Sequence, residues 1–419
     1  DGVRVHAGQA LARDPLNYSV PLLAPREGTV RLGGAEGHIV LEDVEKTPEE
    51  PYHPGEELEH VPRGMDSAGM QRYKLLTLGA WQFLSDAHTG ALPDPFGTPQ
   101  AVIVSTVHME PFLARGDVQI RNRLSSFTRG LEHLQSLLEY QPIYLVIPDI
   151  ESEFAAKVRE TLRGYAWVRA VQIAPRYGLD NFAVLARHLG LVQDAEQPVW
   201  ALGVAGVLAA DRALTLSHPS TVRIVAIGGP AVESPVHLKA MPGYPLEAIL
   251  KNRISGGEVR VINGGALTGG AITCGCLSES SLGLDSECAG LTVLTEQTER
   301  EFLGFLRSGW DRTSYSNCFL SVLRPGLLEP MTTALRGERR PCISCGYCEE
   351  VCPARIMPHL IHKYLYQDAL EAAEEARVDL CVHCGLCSFV CPSKIELSKE
   401  LADAQGTIRA ELHPEEVSA

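Results

Sequence analysis

Residues 1–45 alternate apolar and polar positions with period two, broken by turn signals. Val3 and Val5 are followed by Gly8-Gln9, Val20-Pro21, Ala24-Pro25, Gly28-Thr29-Val30, Gly33-Gly34 and Ile39-Val40-Leu41. Short β-strands are predicted throughout. The pattern stops at residues 46–64, where Glu49, Glu50, Pro51, Pro54, Glu56, Glu57 and Pro62 form an acidic, Pro-rich connection. From about 65 to 200, short apolar runs alternate with helical stripes. Val102–Val104, Ile143–Ile147 and Val168–Ile173 read as buried strands, and Val118–Leu138, Glu151–Leu162 and Leu179–Leu189 as the helices that follow them. Such alternation predicts a βαβαβα unit with right-handed crossovers and a parallel sheet.

Beyond residue 216 the spacing shortens. Thr221–Pro230 is a strand run, Val236 opens a second strand, Leu246–Leu250 sits in a short helix, and Val259–Val261 leads into the glycine-rich Asn263–Gly270. A small β-grasp module is expected here. The fold class is therefore a multidomain α/β and α+β chain. Its expected parts are a module at 1–45, a linker at 46–64, a Rossmann-like α/β domain at 65–215, the β-grasp module with its surroundings at 216–335, a metal-binding region at 336–410 and a tail at 411–419.

The chain has 419 residues, 45% of them hydrophobic and 21% charged, as in ordinary globular proteins. Its net charge of −15 repels phosphate backbones, which argues against a nucleic-acid partner. The longest nearly uncharged apolar stretch, Val199–Ala210, falls well short of the ~20 residues that span a bilayer. No basic and apolar signal segment opens the chain, which begins at Asp1 rather than Met, so further N-terminal sequence is expected. The expected setting is a soluble protein in a reducing compartment.

The cysteines change the picture most. Of 12, eight fall in two identical runs: Cys342, Cys345, Cys348 and Cys352 before Pro353, then Cys381, Cys384, Cys387 and Cys391 before Pro392. Both have the bacterial ferredoxin spacing, in which three close thiolates hold one 4Fe–4S cluster and the fourth ligates the other. Two 4Fe–4S clusters are expected, one on Cys342, Cys345, Cys348 and Cys391, the other on Cys381, Cys384, Cys387 and Cys352. Gly346 and Gly385 stand where a tight loop wraps a cubane. A zinc site would leave the third and fourth cysteines of each run without a task, and a disulfide framework belongs to small secreted chains.

Between the runs, Ile356, Leu360, Ile361, Tyr364 and Leu365 form a helical stripe, and Gln367–Glu375 an acidic second helix. This layout resembles the helical two-cluster domains of dehydrogenase and heterodisulfide-reductase electron-transfer subunits, which act as relays inside larger complexes. Leu397–Arg409 is expected as a closing helix.

Other candidates carry weaker chemistry. Ser105–Glu110, after the first strand of the α/β region, contains no glycine and so lacks a dinucleotide fingerprint. Asn263–Gly270 has glycines that could cradle a flavin or nucleotide phosphate, but no Gly-Lys-Ser/Thr follows, and a plain turn is the simpler reading. Cys274, Cys276, Cys288 and Cys318 read as buried thiols rather than a third redox site. His218 and His237, flanking a predicted strand, read as surface residues.

Residues 1–45 resemble the barrel-sandwich fold of lipoyl and biotinyl carriers, yet they contain no lysine, so a carrier role is excluded. The order of modules resembles a family of two related proteins: the A subunit of sodium-pumping NADH:quinone reductases (Nqr) and the C subunit of Rnf ferredoxin:NAD complexes. LLTLGAWQFL (75–84), IVAIGGPAVESP (224–235), RVINGGALTGG (260–270) and VLTEQTEREFLGFL (293–306) resemble the reductase component, whereas the cysteine runs resemble the Rnf component. Rnf C subunits hold FMN and NADH in a GGAGFP-like loop. The matching stretch 61–84 has only the single glycines Gly64, Gly69 and Gly79, so FMN is left without a motif. The resemblance implies a peripheral electron-transfer subunit on the inner face of the cell membrane, without a complete active site of its own. Its partners would be integral-membrane flavin and iron–sulfur subunits and a soluble donor such as an NADH dehydrogenase or ferredoxin. An FMN-dependent NADH dehydrogenase is the alternative.

Overall fold

The computed structural model describes residues 1–32, 38–44, 65–138, 141–150, 152–191, 197–272, 282–297, 310, 320–324, 326–327, 331–334 and 338–411. The expected linker, Cys274, Cys276, Cys318 and most of the 293–306 motif lie outside these residues.

At the start of the chain, strands β1 (Arg4–Val5), β4 (Gly28–Leu32) and β5 (Ile39–Glu42) form one antiparallel sheet, and β2 (Ala10–Asp14) with β3 (Val20–Leu23) a second. Helix α1 (Ser67–Thr77) then begins at Asp66, whose carboxylate accepts the Gly69 N–H at 2.7 Å and so satisfies one of the first turn's free donors.

A five-stranded sheet forms the largest core, in the order β6 (Ser85–Asp86), β10 (Val199–Gly203), β7 (Ala101–Ser105), β8 (Ile143–Pro148) and β9 (Val168–Ile173). β10, β7, β8 and β9 are parallel, and β6 is antiparallel on the edge. Val102 and Val104 pack into one buried cluster while Ile103, between them, packs into another on the opposite face. A strand covered on both sides reads as an unbroken apolar run, which is why β7 and β8 stood out in the sequence.

Two expectations need correction. Val118–Leu138 is not one helix but two, α2 (Gly116–Ile120) and α3 (Leu124–Leu137). Asn122 between them has φ +60, a left-handed conformation that asparagine tolerates and a helix does not. Val199–Ala210 was legible only as an apolar run. It divides into strand β10 and helix α6 (Val204–Leu216) at Gly203, so the sheet has one more parallel strand than its pattern suggested. The helices α4 (Glu153–Leu162) and α5 (Phe182–His188) fall inside their expected ranges.

A second five-stranded sheet follows, in the order β12 (Val236–Ala240), β11 (Arg223–Gly228), β15 (Gly290–Thr295), β13 (Val259–Asn263) and β14 (Gly270–Ile272), with α7 (Leu246–Leu250) packed into its core. Its strands β11 and β15 are parallel; the other pairings are antiparallel.

The final region is helical: α8 (Tyr347–Glu350), α9 (Pro358–Leu365), α10 (Leu370–Glu375), α11 (Leu386–Val390) and α12 (Leu397–Glu411). Its two halves repeat. α9 and α12 start at the same offset that separates the two cysteine runs, and left-handed backbone recurs at that offset in Ser344 and His383, Gly346 and Gly385, Arg355 and Lys394. The stripe Ile356, Ile361, Tyr364 and Leu365 buries against Leu401, Ala404 and Ile408 of α12.

Candidate metal centre

Each cysteine run is a loop, a left-handed residue and a helical turn. Gly346 at φ +80 and Gly385 at φ +76 lead into α8 and α11, so that backbone N–H groups are turned towards the preceding thiols. The Ser344 N–H lies 3.4 Å from Cys342 Sγ. Backbone N–H groups of His383 and Leu386 likewise approach Cys381 and Cys384.

The runs interleave. Cys342, Cys348 and Cys391 share one apolar cluster with Cys387 of the second run, Val351, Val390 and Ile395. Cys352 and Cys381 both pack against the other, around Ile361 and Leu401. A cavity of about 320 Å³, counting its open mouth, is lined by Cys352, Cys381, Cys384 and Cys387 together with Pro353, Ile356 and Leu386. The fourth cysteine of the first run is thus gathered with the first three of the second.

Burial pushes the Cys348 and Cys381 thiols up to about 11 and Cys387 up to about 12, and raises Cys384 as well. Thiols in such surroundings become thiolates only when a cation compensates their charge. Among the described residues no three His, Cys, Asp or Glu side chains converge closely enough for a single metal ion. A cubane bonds each thiolate to a different iron and spaces them more widely, so a walled cavity with separated thiols and inward N–H groups fits that group.

The two runs differ in surroundings. Cys345 is exposed, and Ile343 beside it is 66% exposed. The second run instead meets the α/β sheet and the glycine-rich loop. Tyr177 donates its hydroxyl to the Cys384 carbonyl at 2.6 Å. A Cβ on Gly178 would come within 3.0 Å of Pro353, and one on Gly385 within 2.7 Å of the Leu267 carbonyl. Burial, with Glu110 next in influence, holds the Tyr177 phenol well above its ordinary range, so it remains a donor. None of Tyr177, Gly178 or Glu110 carries a sequence signal, because each contact joins distant parts of the chain.

The glycine-rich loop is filled from within. The Glu110 carboxylate accepts the Leu267 N–H at 3.2 Å, the Thr268 N–H at 2.9 Å and the Thr268 hydroxyl at 2.7 Å. The chain's own carboxylate occupies the cradle in which a phosphate would otherwise sit, which favours the turn reading. Glu110→Ala should leave these donors to water. It is expected to lower stability by about 1–2 kcal/mol and to speed amide hydrogen exchange in 264–269, as measured by mass spectrometry. Cys288 is buried and its thiol donates to the Gly290 carbonyl at 3.2 Å, as expected of a structural thiol. His237 is exposed.

Residues 66–216 match the family model described as NqrA second alpha/beta domain, and residues 224–273 the one described as NQRA C-terminal domain. Residues 338–395 match a 4Fe-4S dicluster domain. The NqrA component of the Na(+)-translocating NADH-quinone reductase of Pseudomonas aeruginosa is 29% identical over 382 residues, covering 89% of this chain and 81% of its own. That of Shewanella denitrificans is 27% identical over 384 residues, covering 89% and 80%. A solved NAD+-reducing NiFe hydrogenase, in the H2-reduced state, has a TM-score of 0.47 at 10% identity, covering 82% of this chain and 62% of its own. The body of the chain is of the NqrA type, and a 4Fe–4S dicluster domain follows it.

Proposed function

We propose that the chain is a peripheral electron-transfer subunit of a sodium-translocating, Nqr-type oxidoreductase complex, with two 4Fe–4S clusters as its carriers. One cluster is held by Cys342, Cys345, Cys348 and Cys391, the other by Cys381, Cys384, Cys387 and Cys352. The observation that carries this reading is the cavity joining Cys352 to the second run. Bound cubanes would supply one-electron carriers close together; the protein's part is to hold them, bury one and leave the other near the surface.

Sodium transport and quinone reduction are named for the relatives' complex, and membership of such a complex brings membrane subunits as partners. No helix among the described residues is long and apolar enough to cross a membrane; the place proposed for the chain is peripheral, on the inner face. The first strands would form a lysine-free, carrier-like scaffold, followed by a linker, the α/β domain at 65–215, a β-grasp module within 216–335 and the cluster domain at 336–410.

The dehydrogenase alternative finds little support. The stretch from Ser67 to Thr77 is a helix where a flavin loop would be needed, and Glu110 fills the glycine-rich loop at 263–270. Acid extraction for FMN, with absorbance of the clusters followed under NADH, separates the two. The relay predicts no stoichiometric FMN and no bleaching by NADH alone, but full bleaching by dithionite. One FMN per chain with NADH-driven bleaching would overturn it.

A further inference from the structure

The two cysteine loops share one backbone design but not one electrostatic setting. Arg187, in the last turn of α5, reaches from the α/β sheet to the second run. Its two terminal nitrogens lie 3.5 and 3.4 Å from the Leu380 carbonyl, directly before Cys381. The guanidinium is half-buried and feels the charges of Asp379, Cys352 and Cys381. Asp379 is paired with Arg377 at 2.9 Å, and the Asp180 carboxylate acts on Cys384 from the other side of the run, so Arg187 is the cation set against these carboxylates and the thiols. An arginine stays protonated even when burial disfavours its charge.

The first run meets a different cation. Lys363 bonds to Ser344 Oγ at 2.9 Å, in an exposed contact that water and salt screen. Charge in a partly buried setting acts more strongly than charge in solvent.

We propose that Arg187 sets the reduction potential of the cluster held by Cys352, Cys381, Cys384 and Cys387, its charge offsetting the burial that would otherwise drive that potential down. The proposal rests on the two-cluster reading above. Reduction adds one negative charge to a cluster, and burial penalises it while a fixed cation favours it. Arg187 makes no bond to iron and takes no electron. It is a positioning charge, acting on the cluster through space.

The test is a redox titration of the full-length protein, followed by low-temperature EPR, with iron counted per chain. Signals are assigned to the two centres with Cys352→Ser and Cys391→Ser. In Arg187→Gln the second centre should become at least tenfold harder to reduce, about 59 mV for one electron, while the first stays put. Arg187→Lys keeps the charge and should remain within about threefold of wild type. Tyr177→Phe removes the hydrogen bond to Cys384 but no charge, and should move the second centre less than Arg187→Gln. An unmoved second centre in Arg187→Gln, equal shifts in both centres, or a Tyr177→Phe shift as large as that of Arg187→Gln would overturn the proposal. If Arg187→Gln loses iron, Arg187→Lys decides: a tenfold fall there contradicts a charge effect. A wild-type protein without two clusters would instead remove the underlying reading, and this one with it.

Discussion

Cys352→Ser is expected to abolish the cluster on Cys381, Cys384 and Cys387 while leaving that of its own run intact. The residue follows α8, where the chain turns at Pro353 towards the second run and enters the cavity lined by Cys381, Cys384 and Cys387. Three thiolates and a serine hold a cubane poorly, so iron should fall from about eight to about four per chain. Cys391→Ser should do the converse, because the ferredoxin spacing assigns the fourth thiolate of each run to the other cubane, and Cys391 packs with Cys342 and Cys348 as well as with Cys387. Electron transfer through a complex assembled with either variant should fall by at least tenfold, since a relay with a missing link must tunnel across the gap. EPR of the reduced variants reads which centre remains. Loss confined to the mutated run's own cluster would contradict crossed ligation.

Trp200→Ala should cost about 3–5 kcal/mol, a large share of the 5–15 kcal/mol that separates folded from unfolded domains. Trp200 is fully buried in β10, with its ring edge-on to Trp81 at 5.3 Å and the Arg72 guanidinium 5.6 Å above it. β10 lies between β6 and β7, so a cavity there loosens both neighbours and the helices packed on that face. Trp200→Phe should recover more than half of the loss by refilling most of the volume. Urea denaturation followed by circular dichroism measures both. The first transition should move to lower urea, while iron per folded chain stays unchanged because the cysteine loops pack in separate clusters. A shift below 1 kcal/mol for Trp200→Ala would show that β10 is not central to this core.

Much of the candidate centre was legible because its chemistry is local. Cubane ligation needs thiols a few residues apart, so the spacing of Cys342–Cys352 and Cys381–Cys391 announced it directly. Strands β7 and β8 were legible for a different reason: burial on both faces leaves an unbroken apolar run. The same principle hid β10 and α6, since Val199–Ala210 is apolar whether extended or helical, and period alone cannot divide it. The break at Asn122 was equally silent, because one left-handed residue leaves the surrounding helical stripe intact.

The surroundings of the second run were out of reach altogether. Tyr177 meets Cys384 across 207 positions, Arg187 meets Leu380 across 193 and Glu110 meets Thr268 across 158. No pattern in the chain pairs these residues; the packing of the first sheet against the cluster domain joins the first two pairs, and its packing against the glycine-rich loop joins the third. That packing gives two loops of one design unequal environments, and it is where the body and the cluster domain touch.

Electron transfer through this chain, with its NqrA-type body, is proposed to run over two coupled cubanes. Its most direct test is the content of iron and acid-labile sulfide in anaerobically purified protein, joined to the EPR spectrum after dithionite reduction. About eight of each per chain are expected, with two reduced centres whose signals broaden one another through spin coupling. A single zinc ion without sulfide, or about four irons with one isolated signal, would contradict it.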